Sequence, residues 1–302
     1  MARNGLRIAI TGASGYLGSN LCRYFKQREA TVFQLTGRPQ DVDSSLPAAS
    51  FSLSDGAPQG FLKENKIDVL VHAAYDFRVS SQRDIRAINV KGSIALFKQA
   101  RNEGVKRIIF VSTMSAYDGC RSLYGQAKLE IENALRELQL GYSVRPGLLY
   151  STPLAQSGGM VGSILSRVQR GGVLPLIGDG KQKLYLTHVE DLARFIESAE
   201  GPIENSYVTT ANSNPYEFRR IVRLLSEAPN GKQVSLMPVP WRAVWLGLKS
   251  LETLGLKPGF RSDSVLSLAY QQDQPEFSMP LKDFAFRDFE QTIHDETISP
   301  RS

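Results

Sequence analysis

Apolar residues in the first half of the chain come in short runs, separated by longer stretches where apolar positions recur every three or four residues. The short runs at 6–10, 31–36, 69–73, 107–112 and 142–148 predict strands. The longer stretches at 16–26, 88–102 and 123–138 predict amphipathic helices. Strands joined by helices of this length require right-handed crossovers, and so an α/β fold: a doubly wound parallel sheet with helices on both faces. Beyond about residue 150 the pattern loosens into proline- and glycine-rich segments, with helices predicted at 161–170, 188–199 and 215–226. The segment 240–256 is apolar on most sides and holds both tryptophans, and a polar tail follows it.

The first strand runs directly into Thr11-Gly12-Ala13-Ser14-Gly15-Tyr16-Leu17-Gly18, and a helix begins there. Gly12 lets the chain turn sharply, Gly15 lets backbone N–H groups approach a pyrophosphate, and Gly18 lets the helix pack closely on the strand. The helix N-terminus then meets phosphate charge with its positive dipole end. Between the first strand and first helix of a βαβ series, this spacing predicts a nucleotide-binding Rossmann domain. Residues 1–150 and 186–200 are assigned to it, and residues 151–185 and 201–302 to a smaller substrate-binding portion. An NAD site usually closes its second strand with an acid that holds the ribose. Here that strand ends in Thr36-Gly37-Arg38, a base instead of an acid. NADP is therefore the favoured cofactor, with Arg38 on its 2′-phosphate, and NAD the alternative.

Tyr124 and Lys128 stand four residues apart, on one face of a predicted helix. Chance readily produces such a pair, so its weight comes from context. It opens the helix after strand 107–112, and Thr113 sits where that strand ends. A carbonyl that receives hydride needs a proton. Tyrosine supplies one if a nearby ammonium lowers its phenol from a pKa of about 10. Thr113 would then hold the reacting oxygen by a hydrogen bond.

These residues resemble the extended short-chain dehydrogenases/reductases of the NAD-dependent epimerase/dehydratase group. The likeness rests on TGASGYLG at 11–18, VHAA at 71–74, NVKGS at 89–93, FVSTMSAY at 110–117, YGQAK at 124–128 and VRPGLLY at 144–150. IGDGKQKLYLTHVED at 177–191 extends it. The resemblance implies a catalytic trio of Thr113, Tyr124 and Lys128. The expected cofactor contacts are Gly12, Ser14, Gly15, Tyr16, Leu17, Gly18, Arg38, Ala73, Ala74, Asn89, Tyr124, Lys128, Pro146 and Gly147. Thr113, Ser115 and Arg261 are expected at the substrate. The substrate implied is a nucleotide-activated sugar, handled by a 4-ketoreductase or a 4-epimerase. A reductase of a non-sugar ketone and a non-catalytic NADP-binding redox sensor are the alternatives. Met114-Ser115 stand where dehydratases of the group carry Asp-Glu, which argues against water elimination. Leu184 stands where many sugar-nucleotide enzymes place an arginine.

A net charge of +6 suits an anionic small ligand, and no Lys/Arg cluster resembles a nucleic-acid footprint. Two isolated cysteines, Cys22 and Cys120, form no disulfide framework and no metal-ligand spacing. A reducing, cytoplasmic setting is expected, with no signal peptide, no metal and a homodimer by family likeness. His72 and His188 read as structural, Cys120 as a bystander. Segment 240–256 reads as a helix covering the active site, and membrane contact is not expected.

Overall fold

The computed structural model describes residues 5–198, 207–256, 260–272, 274–277 and 284–298. Seven strands make one parallel sheet: β1 (Arg7–Thr11), β2 (Thr31–Thr36), β3 (Ala48–Ser50), β4 (Val69–His72), β5 (Arg107–Val111), β6 (Gly141–Pro146) and β7 (Tyr207–Thr210). Their spatial order is β7-β6-β5-β4-β1-β2-β3, so the chain reverses its direction of travel between β1 and β4. In such sheets the crevice beyond the carboxyl ends of the two strands at the reversal is where a ligand can enter. The fold is the Rossmann-like α/β arrangement expected from the sequence.

The helices are α1 (Tyr16–Gln27), α2 (Lys91–Asn102), α3 (Leu123–Leu138), α4 (Gly159–Arg170), α5 (Val189–Ser198), α6 (Phe218–Glu227), α7 (Trp241–Thr253), α8 (Ser262–Ala269) and α9 (Phe289–Ile298), besides shorter turns. Alternation along the strands sorts the core into two layers. Ala9, Leu35, Leu70, Ile108 and Phe110 face α2 and α3, through Leu96, Phe97, Ala127, Ile131 and Leu135. Ile8, Ile10, Val32, Val71 and Ile109 face α1 and α5, through Leu21, Phe25, Leu192 and Phe195. Both faces are covered, which explains why these strands are apolar almost throughout.

A third core joins α4, α6 and α9 with Tyr150 and with Val265 and Leu268 of α8. A parallel ribbon of Gly172–Ile177 with Val234–Val239 closes this portion. Tyr207–Thr210, from the stretch assigned above to the substrate-binding portion, pairs with β6 as the seventh strand of the main sheet. Its Val208 packs in the α1/α5 layer. Segment 240–256 does form a helix, but α7 contributes nothing to the wall of the active-site cavity described below. Trp241, Val244, Trp245 and Leu248 turn instead onto the third core. The polar tail also holds a helix, α9, anchored by buried Phe289 and Ile293.

Candidate active site

The β1–α1 turn has the shape a dinucleotide phosphate needs. Gly12 has φ +71°, and a Cβ there would meet the backbone of Ala74 at 3.0 Å. A Cβ at Gly18 would collide with the Gly12 carbonyl, so α1 packs against the turn itself. No side chain caps α1 and its first turn holds no acid, which leaves its N–H groups and dipole for an anion. Thr11 Oγ1 accepts the amides of Ala73 and Ala74 at 3.2 Å each, drawing the β4 end beside the turn. Ser14 Oγ and Thr36 Oγ1 lie 2.8 Å apart, tying the turn to the end of β2. These residues fit a nicotinamide dinucleotide. Arg38 lies just past β2, exposed, with its guanidinium 3.2 Å from Asp41.

Just past the end of β5, Thr113 lies beside the Tyr124 phenol, and both line the same cavity. Tyr75 packs edge-on to the Tyr124 ring at 5.0 Å, and Phe77 lies 5.7 Å away. Lys128 is buried one helical turn along α3. Its Nζ donates to the Val111 carbonyl at 2.7 Å and sits over the rings of Phe110 and Tyr75. Burial dominates the electrostatics. It pushes Tyr124 up to about 12 against the Thr113 hydrogen bond, and Lys128 down to about 7 against the pull of Glu132. The expected lowering of the phenol by the ammonium is therefore not what this arrangement produces.

Tyr124 and Thr113 open into a cavity of about 400 Å³ between the sheet edge and the C-terminal portion. Tyr16, Ser115, Pro146, Gly147 and Arg261 also line it. Residues 8–199 match the family model for the NAD dependent epimerase/dehydratase family. The chain belongs to that family. It is 25% identical over 232 residues to dTDP-4-dehydro-6-deoxy-D-allose reductase of a Streptomyces species, covering 63% of this chain and 71% of that protein. It is 27% identical over 205 residues to ceramide reductase of Caulobacter vibrioides, covering 62% of this chain and 58% of that one. The chain thus spans between about half and three quarters of the length of these relatives. UDP-glucose 4-epimerase of Thermotoga maritima, solved with UDP-glucose, superposes with a TM-score of 0.65 at 20% identity, over 87% of this chain and 97% of the other. This protein is accordingly an enzyme of the epimerase/dehydratase family.

Asn89 and Arg261 both act on the loop that carries Tyr75 and Phe77. Asn89, in a π-helical turn (Ile85–Val90), accepts the Asp76 amide at 2.7 Å and donates to its carbonyl at 3.2 Å. It thereby shapes the loop that carries Tyr75 and Phe77. Arg261 donates through Nη1 to the carbonyls of Phe77 and Val79, both at 3.0 Å, so it holds the same loop from the opposite side of the cavity. Leu184 is buried and lines the cavity, where a cation would otherwise stand. His72 is wholly buried between Thr11 Oγ1 and Ser93 Oγ, and burial lowers its pKa to about 3. His188 Nδ1 accepts the Glu190 amide at the start of α5. Cys120 is buried, and burial pushes its thiol up. Among the described residues no group of three or more His, Cys, Asp or Glu side chains is placed to hold a metal.

The sequence reading missed Asp263. One carboxylate oxygen accepts the Leu123 amide at 2.7 Å and the other the Tyr124 amide at 3.0 Å. Ser122 Oγ takes the Gly125 amide at 3.1 Å. The first turn of α3 is thus capped jointly by its own N-cap serine and by an acid 140 residues downstream. Only the SDS at 262–264, an acid in the first turn of a helix, hints at it in the sequence.

Proposed function

We propose that this chain is an NADP-preferring oxidoreductase that transfers hydride between its nicotinamide cofactor and a secondary alcohol or ketone, with Tyr124 as acid/base. The observation that carries this reading is the convergence of Thr113 and Tyr124 on one cavity wall, with Lys128 buried one turn behind. The cofactor would rest on the Gly12–Gly18 turn, with Ala73, Ala74, Pro146 and Gly147 alongside, and would supply or accept the hydride. Thr113 holds the substrate oxygen. The Tyr124 phenol gives that oxygen a proton as a carbonyl is reduced, and takes one as an alcohol is oxidised. Tyr75 and Phe77 pack against the phenol ring and fix its position. Lys128 orients the tyrosine side of the site and, when charged, favours the phenolate.

A nucleotide-activated sugar is the substrate class we favour, handled by a 4-ketoreductase or a 4-epimerase. Its diphosphate would find Lys183 and Arg261 on the cavity wall. A non-sugar ketone is the second reading, because Leu184, Leu148, Met160 and Phe77 give the same wall a strong apolar share. Calorimetry with UDP, TDP, GDP and CDP, each with NADP⁺ present, decides between them. Micromolar-to-millimolar binding of one supports the sugar nucleotide, and silence from all four moves the assignment to the ketone. Assembly as a homodimer belongs to the same proposal.

A further inference from the structure

Phe77 is 61% exposed, yet its ring forms part of the wall of the reaction cavity. Of the eight large apolar side chains exposed among the described residues, it alone lines that cavity. A single exposed phenylalanine is ordinary, because much protein surface is apolar. The setting of this one is not. Its ring lies 5.7 Å from the Tyr124 ring, tilted by 33°, and 4.8 Å from the Tyr75 ring, tilted by 51°. Those contacts leave more than half of the side chain open, directly beside the acid/base phenol.

The backbone beneath the ring is fixed from two sides. Asn89, wholly buried, accepts the Asp76 amide at 2.7 Å and donates to the Asp76 carbonyl at 3.2 Å. Arg261 donates to the carbonyls of Phe77 and Val79 at 3.0 Å each. Arg78 Nε and Nη2 both reach the Asp76 carboxylate, at 2.9 and 2.8 Å. A loop tied by hydrogen bonds at residues 76, 77 and 79 keeps its course without burying the phenylalanine. Polar groups therefore present an apolar ring that the hydrophobic effect alone would draw inward.

The cavity carries the same chemistry away from the phenol, since Leu148, Met160, Leu184 and Leu268 also line it. Thr113 and Tyr124 are placed to hold the reacting oxygen, which fixes one point of a substrate. Aiming the carbon that exchanges hydride needs a second contact, on the ring or chain that bears it. The electron-rich face of an aromatic ring suits the partly positive C–H groups of such a partner. We propose that Phe77 is the specificity-determining platform of this site, on which the group bearing the reacting carbon lays its C–H face. A pyranose and an apolar ring offer that face alike. This rests on the hydride-transfer reading above and adds to it the place of the substrate's non-reacting side.

The test is calorimetry of dead-end complexes, in which no hydride moves. Whichever of UDP, TDP, GDP and CDP binds the NADPH-loaded protein is compared with its own glucose ester. In parallel, 4-phenylcyclohexanone is titrated into the NADP⁺-loaded protein. The wild type should bind the ester at least about threefold more tightly than the bare diphosphate if the platform takes a sugar, or bind the ketone if it takes an apolar ring. Phe77→Ala should erase the ester's advantage, or weaken the ketone by a similar factor, and leave the bare diphosphate unchanged. Phe77→Trp should restore what alanine loses. The alanine variant should melt within about two degrees of the wild type, because the side chain is exposed. It should also keep slow deuterium exchange at the Asp76 amide, which Asn89 holds. The proposal is overturned if the wild type shows neither the ester's advantage nor ketone binding, or if Phe77→Ala binds the preferred probe like the wild type. It is equally overturned if ester and bare diphosphate weaken alike, or if the Asp76 amide exchanges fast in the variant, for then the ring only builds the loop. The hydride-transfer reading is tested separately, by the loss of turnover in Tyr124→Phe, so either can fail while the other stands.

Discussion

Replacing Lys128 by methionine should stabilise the fold while destroying turnover. The side chain is 3% exposed, and burial brings its pKa from an ordinary 10.5 to about 7. At roughly 1.4 kcal/mol per pH unit, keeping this lysine in the fold costs about 4 kcal/mol at pH 7 relative to a neutral side chain of the same size. Methionine forfeits the hydrogen bond to Val111, and an orphaned carbonyl costs about 1–3 kcal/mol. The net expectation is a gain of about 1–3 kcal/mol at pH 7, a few degrees in Tm. The pH dependence carries the decisive sign. A folded-state pKa below the unfolded one means that the penalty is fully present below pH 7 and fades as pH rises towards 10.5. The advantage of the Lys128→Met variant should therefore shrink by about 2 kcal/mol between pH 7 and pH 9. Calorimetric melts of both proteins across that range measure it. A variant less stable than the wild type, by an amount that does not change with pH, would refute the idea that the lysine is held against its own solvation.

Four further expectations follow from the same geometry. Tyr124→Phe should lower turnover by about 100-fold or more and leave NADPH affinity within a factor of two, because only the proton donor is removed; stopped-flow turnover and fluorescence titration read the two quantities. Asp263→Ala should speed deuterium exchange at the Leu123 and Tyr124 amides and reduce kcat more than KM, with exchange in α2 unchanged; slow exchange at both amides in the variant would show that the carboxylate does not hold α3. Arg38→Ala should erase a roughly ten- to hundredfold preference for NADPH over NADH while leaving NADH binding intact; titrations in which both cofactors weaken alike would mark Arg38 as a turn residue only. Burial holds His72 at about 3 and His188 at about 4, both below the usual histidine value. The stability from keeping them neutral is complete above pH 6.5 and lost on acidification, roughly 2 kcal/mol per histidine at pH 5, so His188→Gln should flatten the fall in Tm between pH 7 and 5.

What the sequence could express about this molecule is spacing, and spacing served well wherever structure is local. The 6–10 run became β1 and the 16–26 stretch became α1, because alternation and the 3.6-residue period are properties of neighbouring residues. Tyr124 and Lys128 share a helix turn for the same reason. Two kinds of fact had no such signal. The first is contact across long separations: Asp263 reaches the amide of Tyr124 over 139 residues, and neither segment marks the other as its partner. Tyr207–Thr210 likewise becomes a sheet strand only because β6 presents an open edge to it. The second is desolvation. A phenol and an ammonium four positions apart on a helix suggest mutual stabilisation of charge, and that inference holds in water. In the fold, Phe110, Tyr75 and the Val111 carbonyl surround Lys128, and Tyr75 and Phe77 cover Tyr124. The cost of charging either group in that surrounding exceeds what they return to each other across 5.8 Å from ammonium to ring centre. Tyrosine and lysine are thereby both held towards neutrality. A proton donor poised in that form is suited to reducing a carbonyl, whereas oxidising an alcohol first requires the phenol to be ionised. The direction of the pKa displacement at Tyr124 is thus set by desolvation, which no spacing rule contains.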